Sequence, residues 1–347
     1  MSTSPTPSPA PSSAGLAPAA PSAPARERVG RRFDPAELLG RFAPTLFLLL
    51  LVAILAYLEP GFRTERNLFN VLRQISFIGI LAVGMTFVIL TAGIDLSNGS
   101  IMALGGIVMT KVAVVNGVNP VLASVLGVGV CVAFGALNGA LITQIRLPPF
   151  IVTLGTLNIA FAITQLYSQA QTVTNVPDSL TYLGNTFQIG QTSITYGTVL
   201  MFLLYLGTWF VLRQTAAGRH VYAVGNNPEA ARLSGIHTQR LLILVYTIAG
   251  LFYGVAALLF VARTGVGDPY AGQTDNLASI TAVVLGGTSL FGGRGRIMGT
   301  LVGVLIVGVF RNGLQLMGVA SVFQVLVTGI LVILAVTVDQ IALRGQQ

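Results

Sequence analysis

The sequence has few charged residues for its length. Only 9% of its 347 residues are Asp, Glu, Lys or Arg, whereas a soluble domain carries about a quarter. Hydrophobic residues make up 53%, the mean hydropathy is +0.79, and the apolar residues occur in long runs. Because so little charge cannot cover a soluble core, this composition is typical of a polytopic helical membrane protein.

Residues that carry chemistry are also scarce. The single cysteine, Cys131, excludes an internal disulfide. The single lysine, Lys111, follows Thr110 where an ATP-binding phosphate loop requires glycine. No protease or serine-hydrolase motif is present, and the two histidines, His220 and His237, share one loop at a spacing unsuited to a metal. We therefore expect no catalytic residue, no metal site, no cofactor and no ATP hydrolysis by this chain itself.

The positive charge is spread along the chain. The net charge is +8, but the arginines stand between apolar runs and form no basic stripe of the kind that binds nucleic acid. Residues 1–42 are a Pro/Ser/Ala-rich tail with arginines at 26, 28, 31, 32 and 41. This segment lacks the short apolar core of a signal peptide. It is predicted to be a disordered cytoplasmic tail with a basic anchor.

The apolar runs predict an all-α transmembrane bundle of about ten spans within a domain at 43–340. A helix needs about 20 apolar residues to cross the hydrocarbon layer. The candidate spans are 43–58, 69–91, 98–115, 119–142, 149–168, 196–212, 240–262, 276–292, 297–316 and 320–338.

Arginine placement predicts the orientation of these spans. With the N-terminus inside, thirteen of the 19 basic residues lie in cytoplasmic segments and five lie outside or at span edges, in line with the positive-inside rule. Both termini are then cytoplasmic, as is the basic loop 213–239. The polar loop 169–195 has no lysine or arginine and is placed outside.

A short helix is predicted inside the basic loop. Pro228 suits a first helical turn, Asn226 or Asn227 can cap it, and Glu229 lies near the positive helix end. Gly235 fits a C-terminal stop. A helix of under two turns is marginal in isolation, so a partner is expected to hold it.

Three stretches together resemble the permeases of bacterial ABC-type sugar importers, the ribose, xylose and galactose group. They are "VGMTFVILTAGIDLSNGS" (83–100), Glu229-Ala230-Ala231 followed after three residues by Gly235, and "AVVLGGTSLFGGRGRIMGTLVGV" (282–304). The resemblance covers residues from about 45 to 340.

The resemblance implies a multi-pass protein of the inner (plasma) membrane. It implies that residues 228–235 form a coupling helix that sits in a groove of a separate ABC ATPase subunit. The residues carried over to that role are Pro228, Glu229, Ala230, Ala231 and Gly235. Further implied partners are an extracytoplasmic sugar-binding protein and a second permease chain, most simply a second copy.

Polar residues inside the spans are candidates for the sugar path, because a sugar needs hydrogen-bonding side chains. These candidates are Asn138, Asn158, Thr164, Gln165, Asn312, Gln315 and Gln324. Each can equally hold helices together, and the sequence leaves that alternative open.

Asp95 lies between two apolar runs, in "TAGIDLSNGS". We expect Gly93 to break the second span, and Asp95 or Ser97 to cap the third. The function favoured is a permease subunit that imports a monosaccharide, pentose or hexose, at the expense of ATP hydrolysed elsewhere. The alternative is a self-sufficient secondary transporter of a small polar solute, for which Asp95 is the one candidate proton or ion carrier. An interaction module is a distant third.

Overall fold

The computed structural model describes residues 35–189 and 192–344. Residues 1–34 of the predicted tail therefore lie outside the described residues, and its last part, 35–42, belongs to the first helix. The described chain is a bundle of helices, with one two-stranded hairpin. The helices are α1 (Pro35–Leu58), α2 (Glu65–Leu90), α3 (Asn98–Val114), α4 (Pro120–Gln144), α5 (Pro149–Ser168), α6 (Asp178–Thr181), α7 (Tyr196–Gln214), α8 (Ala216–Asn226), α9 (Pro228–Leu233), α10 (Thr238–Thr264), α11 (Asp275–Leu285), α12 (Ile297–Leu316) and α13 (Ser321–Arg344).

The strands are β1 (Thr186–Ile189) and β2 (Thr192–Thr195), antiparallel with Thr186 opposite Thr195. Short 3-10 turns lie at Pro60–Arg63 and Tyr182–Gly184. The all-α prediction is thus correct apart from this small hairpin, which lies in the loop that the sequence marked only as polar.

Each predicted span overlaps a helix, but the helices differ in length. Within the described residues, six helices are long and apolar enough to cross a membrane: α2, α4, α5, α7, α10 and α12. The apolar stretches Phe42–Leu58, Asn98–Val114, Asp275–Leu285 and Ser321–Leu331 are shorter. The count of about ten spans therefore remains a prediction.

The predicted eighth span, 276–292, is wrong as a continuous helix. α11 ends at Leu285 after 11 residues, a length of about 16 Å, or about half the hydrocarbon thickness. Gly287 has φ +85°, in the left-handed region, and this conformation ends the helix. Residues 286–296 form a turn that leads into α12, here called the glycine turn.

The bundle has two ends, the α9 end and the hairpin end. The α9 end holds α8, α9, the last residues of α2 and the glycine turn. The hairpin end holds the β-hairpin, the first residues of α2 and the last residues of α12. α7 links the hairpin directly to α8, so these two ends lie on opposite sides of the bundle.

α10 lies at the centre of the bundle, packed between α2 and α4. Its crossing with α4 depends on glycines. A Cβ added to Gly135 would lie 2.3 Å from the carbonyl oxygen of Tyr246, and one added to Gly250 would lie 2.4 Å from that of Cys131. Small residues let two membrane helices approach backbone to backbone, so these positions determine how closely α4 and α10 pack.

This crossing yields a paired prediction within one helix. Gly135→Ala should lower the melting temperature and the folded yield in detergent, because the new methyl group meets a backbone oxygen that cannot move aside. Gly129→Ala, also in α4, has nothing within 4 Å of the added Cβ and should be neutral or slightly stabilising through helix propensity. Equal melting curves for the two variants, measured after size-exclusion chromatography, would contradict the close packing.

Candidate functional site

The chain is interrupted between α2 and α3. α2 ends at Leu90 and α3 begins at Asn98. The residue with left-handed backbone is Ala92, at φ 60°, and Gly93 donates its N–H to the carbonyl oxygen of Val88 at 3.0 Å. Gly93 does not itself take the left-handed conformation; a Cβ there would lie 2.5 Å from the Tyr246 hydroxyl oxygen. Its role in the structure is to allow that close approach.

Asp95 lies inside this interruption and is fully buried. Its Oδ1 accepts the Ser97 backbone N–H at 2.8 Å and the Ser97 hydroxyl at 2.5 Å. Its Oδ2 accepts the hydroxyl of Tyr253, from α10, at 3.1 Å. The carboxylate therefore closes the turn just before α3 and ties that turn to the central helix.

Ser97 extends the same polar group to α4. It stands at the N-cap position of α3, but its side chain accepts no backbone N–H there. Its hydroxyl instead donates to Asp95 and accepts the Asn138 Nδ2 group at 3.0 Å. One path candidate, Asn138, is thus part of a buried network that joins α3, α4 and α10.

The second short helix, α11, begins beside the first residues of α3. Asn98 Nδ2 donates to the Ser279 hydroxyl at 2.7 Å, and Asn276 Nδ2 donates to the Leu96 carbonyl oxygen at 3.4 Å. A Cβ on Gly99 would lie 2.1 Å from the carbonyl oxygen of Gly272. The interruption before α3 and the segment before α11 therefore meet inside the bundle.

A largely buried ion pair holds the first residue of α11. Arg311 Nη1, from α12, lies 2.9 Å from Asp275 Oδ1, with the two side chains only 21% and 12% exposed. Next to it in α12, Asn312 exchanges two hydrogen bonds with Asn67 of α2, at 2.9 and 3.0 Å. The sequence analysis did not predict this pair, although an acid at the start of α11 and an arginine near the end of α12 were a visible signal.

The structure does not bring the path candidates together. Asn138 and Asn312 are buried in the contacts above. Thr164 bonds the Ala160 carbonyl oxygen, Gln165 bonds that of Pro269, and Gln324 bonds that of Val319. Asn158 and Gln315 are exposed on the outside of the bundle.

At the α9 end, the short helix α9 starts after Asn227 and is stopped by Gly235. The Asn227 side chain accepts the Ala230 N–H at 2.9 Å. At the other end, the N–H of Gly235 bonds Arg232 and that of Ile236 bonds Ala231, the hydrogen-bond pattern of a Schellman motif. Gly235 has φ +88°, which a residue with a Cβ adopts only at a cost.

The surface of α9 is exposed and carries one ion pair. Arg232 donates to both carboxylate oxygens of Glu229, at 3.1 and 2.6 Å. This contact lowers the pKa of Glu229 and keeps it ionised. Leu233 at the end of the helix is 75% exposed. The helix thus offers an apolar side chain beside a paired charge, with Ala231 buried beneath.

Comparison with known proteins identifies the family. Residues 67–336 match the family described as "Branched-chain amino acid transport system / permease component". The chain belongs to this permease family. No solved structure matches it significantly.

The similar proteins are sugar import permeases. The chain is 45% identical to the fructose import permease protein of Rhizobium meliloti, over 86% of this chain and 84% of the relative. It is 41% identical to the ribose import permease protein of Bacillus subtilis, over 87% and 94%. It is 36% identical to the D-allose transport system permease protein of Escherichia coli, over 89% and 94%. The resemblance drawn from the three motifs is confirmed.

Membership of the family defines what kind of protein this permease is. It is a multi-pass protein of the inner membrane and a non-catalytic component of an ABC importer, in which a separate subunit hydrolyses ATP. Neither the buried polar network nor α9 is therefore a reaction centre. The network is a candidate for controlling the positions of α3 and α11, the two helices that begin inside the bundle. The exposed surface of α9 is a candidate for binding a partner.

The Asp95 contacts predict how substitutions there behave. Asp95→Asn should keep folded yield near that of the wild type, because Oδ1 still accepts both Ser97 donors and Nδ2 can donate to the Tyr253 hydroxyl. Asp95→Leu should lower folded yield severalfold, since it leaves three buried donors without an acceptor. The folded yield of Tyr253→Phe should lie between the yields of these two variants. Yield is read from monodisperse size-exclusion peaks, and a wild-type yield for Asp95→Leu would contradict the proposed bonding.

Proposed function

We propose that the permease is the membrane subunit of an ATP-driven ABC importer for a monosaccharide, a pentose or hexose. The similarity to fructose, ribose and allose permeases over 86–89% of this chain is the observation that carries the substrate class. The family description names a branched-chain amino acid system. The individual sugar permeases are matched over nearly their whole length, and we give them the greater weight.

We propose that the α9 end faces the cytoplasm. Six arginines lie at or near this end, in agreement with the positive-inside rule: Arg213, Arg219, Arg232, Arg240, Arg294 and Arg296. Both chain termini are then cytoplasmic, and the hairpin end is extracytoplasmic.

A partner from outside would meet an open cavity at the hairpin end. The cavity has a volume of about 770 Å³, and hydroxyl, amide and charged side chains line most of it, among them Glu65, Arg66, Asn70, Arg73 and Ser193. Such a polar recess suits contact with a soluble protein better than with lipid. We assign this end to the extracytoplasmic sugar-binding protein.

At the opposite end, α9 is proposed as the coupling helix. With six residues, α9 would be marginal in isolation, but the Asn227 cap and the Gly235 stop hold it in place. Its exposed Leu233 and the Glu229–Arg232 pair form a small surface that fits a groove on an ATPase subunit. Movement of that subunit upon ATP binding would then act on this helix.

The coupling role predicts the effect of a strained helix stop. Gly235→Val should reduce sugar uptake at least tenfold and weaken co-purification with the ATPase subunit of the same transport system, because valine resists φ +88°. Gly117→Val is the matched control: Gly117 also has positive φ and open surroundings, but it lies at the hairpin end. In Gly117→Val, sugar uptake and the amount of co-purified ATPase subunit should stay near the wild-type values.

The two variants distinguish local strain from coupling. Membrane expression of both should be normal, because neither added side chain meets a neighbour within 4 Å of Cβ. If Gly235→Val retains full uptake with the ATPase bound, α9 is not the coupling helix.

We propose that α5 lines the path, facing a second permease chain. Asn158 is the tenth of the 20 residues of α5 and is exposed. Among the described residues, its side chain forms a hydrogen bond only within its own helix. The Nδ2 group donates to the Leu154 carbonyl oxygen at 3.0 Å. An amide at the centre of a span faces protein or a water-filled cavity in preference to lipid. A second copy of the chain would enclose this face, and the sugar would pass between the two copies.

Cysteine reactivity tests this assignment. In a Cys131→Ser background, Asn158→Cys should react with a charged, membrane-impermeant methanethiosulfonate reagent, because a path contains water that ionises the thiol. Leu203→Cys is the control, since Leu203 is 58% exposed near the middle of α7 and faces lipid in this arrangement. Equal rates at the two positions would place Asn158 in lipid and refute the path.

The secondary-transporter alternative finds less support. A carrier acid must exchange protons or ions with water during each cycle. Asp95 is completely enclosed, and its hydrogen bonds to Ser97 and Tyr253 occupy both carboxylate oxygens. Asp275 is mostly buried and paired with Arg311. Both acids are therefore better explained as parts of the helix scaffold.

A further inference from the structure

The last turn of α8 contacts two other segments through its backbone. A Cβ added to Gly225 would lie 1.8 Å from the carbonyl oxygen of Leu90 and 2.6 Å from the backbone nitrogen of Gly293. Leu90 is the last residue of α2, and Gly293 belongs to the glycine turn between α11 and α12. Glycine at 225 is therefore required for three chain segments to meet at one point.

The glycine turn is shaped to fit this contact. Gly292 and Gly293 have φ of +80° and +68°, and Gly293 donates its N–H to the Leu90 carbonyl oxygen at 2.9 Å. A Cβ on Gly292 would lie 2.8 Å from the carbonyl oxygen of Gly225. The contact of Gly225 with Leu90 and with the glycine turn is therefore made by backbone atoms.

A second bond connects α8 to the same turn. The Tyr222 hydroxyl, one helical turn before Gly225, donates to the Gly295 carbonyl oxygen at 3.1 Å. α8 is followed at once by Asn227, whose side chain caps α9. Displacement of α9 must therefore act on α8 and, through two contacts, on the glycine turn.

α8 touches the end of α2 and the glycine turn. These two segments adjoin α3 and α11, the helices that begin inside the bundle. Beyond Leu90 the chain reaches Asp95 and the start of α3, and the glycine turn directly follows α11. The starts of α3 and α11 meet through Asn98 and Ser279. Contacts between rigid backbones transmit displacement because packed interiors have low compressibility, whereas flexible side chains would absorb it.

We propose that Tyr222 and Gly225 are positioning residues that carry movement of α9 to the α2–α3 interruption and to the α11–α12 pair. This inference rests on the proposed coupling role of α9. It specifies the point in the chain at which movement of α9 reaches the membrane helices. Neither residue contacts the ATPase in this scheme.

Hydrogen exchange in the assembled importer provides the test. The full-length permease is reconstituted in nanodiscs with its ATPase subunit and binding protein, and amide exchange is compared with and without ATP and vanadate. In the wild type, exchange should change both at 226–236 and at 286–296. In Tyr222→Phe the change at 226–236 should persist, and the change at 286–296 should fall to less than half.

Gly225→Ala is the stronger variant, and Gly207→Ala is its matched control. Gly207 is also helical, but nothing lies within 4 Å of its added Cβ. Gly225→Ala should keep the ATPase bound and hydrolysing while uptake falls at least tenfold; Gly207→Ala should behave as the wild type. If Gly225→Ala does not fold, Tyr222→Phe carries the test, because it removes one hydroxyl without adding bulk.

Three results would overturn the proposal. These are an undiminished exchange response at 286–296 in Tyr222→Phe, unchanged uptake in folded Gly225→Ala, or loss of ATPase binding in either variant, which would place the residues in docking instead. Failure of the coupling role itself looks different: the wild type would then show no ATP-dependent change at 226–236.

Discussion

A membrane offers no water to backbone groups, and this constraint governs the interior of the permease. Two of its helices, α3 and α11, start inside the bundle, so the polar groups around both starts need partners within the protein. Asp95 meets this need before α3 by accepting three donors. At α11 the corresponding partner is Arg311, which pairs with Asp275. Charged residues are rare in this chain, and two of its acids are used in this way.

Close backbone packing is the other condition that the architecture satisfies. Apolar side chains are as soluble in lipid as in the protein interior, so helix association depends on fit and on polar contacts. Glycines at 135 and 250 bring α4 against α10. Glycines at 99 and 272 bring the start of α3 against the segment before α11. The polar contacts then form between elements whose separation the glycines have already set.

The proposed activities are spread over separate parts of the molecule. The proposed coupling helix, α9, lies outside the membrane core, the cavity lies at the hairpin end, and Asn158 faces outward from α5. A subunit that moves solute without performing chemistry has no need for converging reactive groups. It needs mechanical continuity between these parts, and the contact of α8 with Leu90 and Gly293 is the short route that we propose for it.

The sequence by itself determined the class of protein, the positions of the apolar helices and the family, because these depend on composition, run length and local motifs. It also predicted the start and stop of α9 from Pro228 and Gly235, since helix caps are local. Only the tertiary structure decided the rest. The tyrosine partner of Asp95 and the pairing of Asn67 with Asn312 depend on residues far apart in the chain. Whether a polar side chain in an apolar run faces inward or outward is set by the neighbouring helices, which explains why Asn138 is enclosed while Asn158 is exposed.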